Sequence, residues 1–97
     1  MKREYIEREL KTIKDDILNK KTSLFDFEGL YSEMEMSLPH LEPEEEDQVK
    51  RQMKELKLEM DRLNKRINKL TNRVHKYDLE LYNLDVQKNK EMLVYNT

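Results

Sequence analysis

Charged residues make up 41% of this 97-residue chain and the apolar set only 36%, which limits it to one small domain with a narrow core. One glycine and two prolines leave too few turn residues for a sheet protein. The absence of cysteine excludes a disulfide framework and a thiolate metal site.

The opening segment, MKREYIEREL, is charged throughout and lacks the apolar stretch of a signal peptide. No apolar run approaches bilayer-spanning length. The expected location is therefore the cytoplasm, or the host cytoplasm if the chain is viral. Lysine, asparagine and glutamate are abundant while alanine is absent. That bias resembles translation from an AT-rich genome, such as that of a low-GC bacterium or its phage.

The first predicted element is a helical arm over residues 1–38. Ile6, Leu10, Ile13 and Ile17 are spaced four, three and four. Leu24, Phe27, Tyr31, Met34, Leu38 and Leu41 continue the stripe, with only Lys20 interrupting it. Thr22 and Ser23, with Asp26 three residues beyond Ser23, resemble a capping box. The pattern therefore predicts a kink or break near residues 21–23.

A turn follows over residues 39–42, bracketed by Pro39 and Pro43. A residue before proline avoids the α region, so the first helix should stop near Ser37 or Leu38. Pro43 suits a first helical turn, and the acids Glu44, Glu45, Glu46 and Asp47 favour the positive end of a helix dipole.

The second helix is predicted over residues 43–93, with a tail at 94–97. Its d positions are Val49, Leu56, Leu63, Leu70, Tyr77 and Leu84. Its a positions are Met53, Met60, Ile67, Val74 and Leu81. The period is about 3.5 residues, which predicts left-handed coiled-coil packing. Two long helices joined by a short connection are normally antiparallel neighbours. The expected fold is thus all-α, an antiparallel αα-hairpin of coiled-coil type.

With the turn near residue 40, position i should face position 81 − i. Residues beyond Leu79 would then outrun the first helix. Yet Leu81 and Leu84 continue the seam there, and Leu79, Tyr82 and Val86 add a second apolar row. Leu18, Phe25 and Leu30 similarly widen the first helix. One hairpin seam needs neither excess, and a two-helix core is marginal alone. Both features predict a homodimer in a four-helix arrangement, or a protein partner. Leu79, Leu81, Tyr82, Leu84 and Val86 are the candidate protein interface.

Catalysis and cofactors are not expected. A phosphate-cradling loop cannot be built around Gly29 alone. His40 falls in the turn and His75 on a charged helix, too far apart in the hairpin to share a metal. Acids and bases at i,i+4, such as Glu4–Arg8, Glu7–Lys11, Asp16–Lys20 and Glu46–Lys50, read as helix-supporting surface pairs.

Charge is nonetheless unevenly spread. Residues 26–47 hold nine acids and no lysine or arginine, whereas residues 50–76 hold ten bases against three acids. Arg62, Arg66, Lys69, Arg73 and Lys76 form a stripe that could follow phosphates. In the hairpin, Glu7, Glu9, Asp15 and Asp16 would face and neutralise it. The expected function is that of a non-enzymatic coiled-coil assembly factor, scaffold or adaptor acting through protein contacts, without a membrane role. The alternatives are nucleic-acid binding by the basic stripe, and inhibition of a host enzyme by a small phage-type protein through its acidic tip or apolar end.

Overall fold

The protein is described by a computed structural model, with backbone for residues 2–95 and side chains for residues 2–90. It is all-helical. Helix α1 spans Lys2–Ser37, a single 3-10 turn spans Leu38–His40, and helix α2 spans Pro43–Tyr95. No described helix is long and apolar enough to cross a membrane.

The connection follows from its two prolines. Pro39 cannot donate to the α1 ladder, so the chain tightens, and the Leu41 N–H donates to the Leu38 carbonyl at 3.3 Å. Leu41 is extended, with φ −96 and ψ 151. The Glu42 carbonyl then accepts the Glu46 N–H at 2.8 Å, which opens α2 around Pro43.

Helix α1 runs through residues 21–23 without interruption, so the expected break near Thr22 is absent. The Thr22 hydroxyl donates to the Leu18 carbonyl at 3.0 Å, one turn back. It is engaged inside the helix and caps nothing. Thr12 does the same with Arg8 at 3.1 Å. The seam residues on both sides of Lys20 stay in frame, so one helix serves both. Helix α2 also runs past the expected tail boundary, through Tyr95. Asn96 and Thr97 lie outside the described residues.

The chain divides into two compact units. The terminal unit comprises residues 1–17 and 69–97, and the turn unit residues 18–68. The core of the terminal unit is Ile6, Leu10 and Ile13 from α1 with Leu70 from α2. These are the residues with which the first seam begins and the second continues. In the turn unit only Met53 and Ile67 are buried. Leu24, Phe27, Tyr31, Met34, Leu56, Met60 and Leu63 occupy seam positions there but remain half-buried. The turn unit therefore has a looser apolar layer than its seam length suggests.

Gly29 lies within α1, at an exposed position and with no positive φ. A Cβ added there would meet nothing within 4 Å. Glycine in a helix interior loses more backbone freedom on folding than alanine does. Gly29→Ala should therefore stabilise the protein by about 0.5–1 kcal/mol. A raised midpoint in thermal denaturation followed by circular dichroism checks this.

Candidate docking surface

In the terminal unit the two helices are antiparallel, and named side chains fix the register. The Tyr5 and Tyr77 side chains lie close enough for the phenols to influence each other. This pair lies within one residue of the expected 81 − i correspondence. The Tyr5 phenol is held above its ordinary range, first by the negative charge of Glu9 and then by Tyr77.

Arg3 reaches further. Its guanidinium donates to the Asp85 carboxylate at 2.7 Å and to Glu7 at 3.3 Å. The hydrogen bond to Asp85, the charge of Asp85 and the hydrogen bond to Glu7 raise the Arg3 pKa, in that order. This corrects the expectation that residues beyond Leu79 find no partner in their own chain. Counting backbone levels places Arg3 opposite Asp78. A side chain on a helix leans towards that helix's N-terminus, however, and arginine is long. Arg3 thereby bridges to a residue two turns beyond the one directly across. Glu7, expected to face the basic stripe, is engaged with Arg3 on its own helix.

The five candidate interface residues divide into two groups. Leu81 and Leu84 are half-buried, as befits seam residues near the start of α1. Leu79 is 59% exposed and Tyr82 64% exposed. Val86 is half-buried. Leu79, Tyr82 and Val86 are spaced three and four, so they form one row on α2. Tyr5 is a further exposed aromatic in this unit. Seam counting passed over it because it lies beside the seam residue Ile6, not on the stripe.

The five basic residues of the stripe are all exposed. Arg62 and Arg66 belong to the turn unit, and Lys69, Arg73 and Lys76 to the terminal unit. Arg62 donates to Glu59 one turn back. Lys50 is paired with Glu46 at 2.8 Å, which raises its pKa, mainly through that hydrogen bond. His40 and His75 are exposed. Among the described residues no three histidine, aspartate or glutamate side chains are grouped to hold a metal ion.

No family model, curated protein or solved structure matches this chain.

The turn unit presents two grooves beside its seam. One, of about 560 Å³, is lined by Leu30, Met34, Leu56 and Leu58 with Gln52, Glu55, Glu59 and Arg62. The other places Lys50, Lys54 and Lys57 around Tyr31, Leu38 and Met53. Seam counting missed both, because it tracks the residues between two helices and not their flanks. The signal for the second groove was Lys50, Lys54 and Lys57 at i, i+4 and i+7.

Proposed function

We propose that the protein is a non-enzymatic helical-hairpin adaptor or assembly factor of the cytoplasm, which self-associates and docks a protein partner through the Leu79–Tyr82–Val86 row. The observation that carries this reading is the exposure of Leu79 and Tyr82. Two large apolar side chains stand more than half in solvent one helical turn apart, in a unit whose own core is already closed by Ile6, Leu10, Ile13 and Leu70. The fold of the unit does not need them. Concentrated apolar surface of this kind on a small protein marks an interaction site. Tyrosine suits the anchor role, with a large apolar body and a hydroxyl that can stay paired.

Nucleic-acid binding is the second reading, favoured by the exposure of Lys69, Arg73 and Lys76 on one segment of α2. Salt separates the two. Phosphate contacts release counterions and weaken steeply as salt rises, whereas apolar docking does not. The test is retention of protein partners by the immobilised chain across a salt series, beside retention of the chain on mixed DNA and RNA. Protein capture that persists at high salt supports the adaptor reading. Nucleic-acid retention at low salt, abolished by Arg66→Glu with Arg73→Glu in a folded chain, would replace it.

A further inference from the structure

The groove of the turn unit carries a more specific statement about self-association. Its apolar lining comes from Leu30, Met34, Leu56 and Leu58. Leu58 lies off the seam and is 50% exposed. Along α2 the same flank carries Glu55, Glu59, Arg62 and Arg66, spaced four, three and four. That spacing keeps all four on one face, over roughly 16 Å of helix. The acids come first and the bases second. Leu58 sits three residues after Glu55 and four before Arg62, so it adjoins the middle of the row.

We propose that a second copy of this chain docks antiparallel on this groove, covering Leu58, with Glu55 and Glu59 of each copy against Arg62 and Arg66 of the other. A two-fold contact presents the same patch from both sides, so the patch must complement itself. An acid-then-base row does so only when the copies run in opposite directions. Parallel copies would set acid against acid and base against base. The second groove is excluded by the same criterion, since Lys50, Lys54 and Lys57 would face lysines in either direction. The existing Glu59–Arg62 pair does not oppose docking. Its side chains are 51% and 72% exposed, and an exposed pair of this kind contributes little. Docking exchanges it for pairs across the contact. The proposal deepens the self-association within the adaptor reading and does not use the Leu79–Tyr82–Val86 row.

Charge reversal tests both the surface and the direction. One variant carries Glu55→Arg with Glu59→Arg, and a second carries Arg62→Glu with Arg66→Glu. Each row then has a single sign and repels its own copy. The two variants mixed should attract. Sedimentation of the full chain should show a wild-type dimer at about 100 µM. Each variant alone should dissociate at least about tenfold more readily, and the equimolar mixture should recover the dimer. Leu58→Gln should weaken the dimer without loss of helicity, since Leu58 is half exposed and off the seam. Dimers that persist in both reversed variants would overturn the proposal, as would a mixture of helical variants that stays monomeric. Loss of the dimer in Leu79→Ala with Tyr82→Ala, but not in the reversed variants, would move self-association to the terminal unit. A monomeric wild type would refute this contact and all self-association, while leaving partner docking to be judged by capture.

Discussion

Leu70→Ala should cost about 2–5 kcal/mol of stability, the usual range for deleting a fully buried leucine side chain. Leu70 is 2% exposed and is the α2 member of a core whose other members are Ile6, Leu10 and Ile13. Four residues leave no neighbouring layer to collapse into the space. The cavity cost therefore adds to the lost transfer energy. Leu63→Ala is the matched comparison. Leu63 holds the same d position one heptad earlier, in the turn unit, but is only half-buried. Its truncation removes less contact and should cost less than half as much. Urea denaturation followed by circular dichroism at low protein concentration measures both. Equal shifts would mean that the half-buried seam of the turn unit is covered in solution, by a second copy or a partner.

That comparison also marks how far the sequence could be read. The seams placed Ile6, Leu10, Ile13 and Leu70 at core positions, because a 3.5-residue period directs side chains to one face whatever lies against it. Periodicity does not say how completely that face is covered. Leu56 and Leu63 occupy the same d frame as Leu70, yet they differ from it in burial. Coverage depends on how closely two helices approach and on the flanking side chains, which no spacing rule encodes. The expected break at Thr22 failed for a related reason. Thr-Ser-x-x-Asp satisfies a capping box only where a helix begins, and the in-frame stripe from Ile17 to Leu24 carries the helix across it. Arg3 shows the third limit. A count of backbone levels locates Tyr5 opposite Tyr77, but it cannot locate the end of a long side chain that leans along its helix.

The interface residues were legible as two rows, but not in how far each is exposed. Leu79, Leu81, Tyr82, Leu84 and Val86 all stand out in the sequence as apolar excess near the end of α2. The seam frame divides them into two rows, and exposure then sets Leu79 and Tyr82 apart from Val86. Leu81 and Leu84 lie in the frame of the seam and are half-buried, whereas Leu79 and Tyr82 lie off it and are open. Truncating the first pair would disturb the fold and confuse any binding assay. Truncating the second pair should not.

Leu79→Ala with Tyr82→Ala should therefore weaken partner docking by about 2–4 kcal/mol, the scale of losing a hot-spot aromatic and its neighbour. Helicity should hardly change. Alanine is the strongest helix former, and neither side chain belongs to the buried core. The measurement pairs circular dichroism with recovery of protein partners by the immobilised chain at raised salt. A further control discriminates between two architectures. Leu63 lies on the central seam, and in an antiparallel hairpin its replacement by aspartate should unfold the chain as it disrupts association. Suppose instead that association survives the loss of Leu79 and Tyr82, and that Leu63→Asp abolishes it while each chain stays helical. The docking surface would then be the seam itself. Residues 49–84 would pair between chains as a zipper.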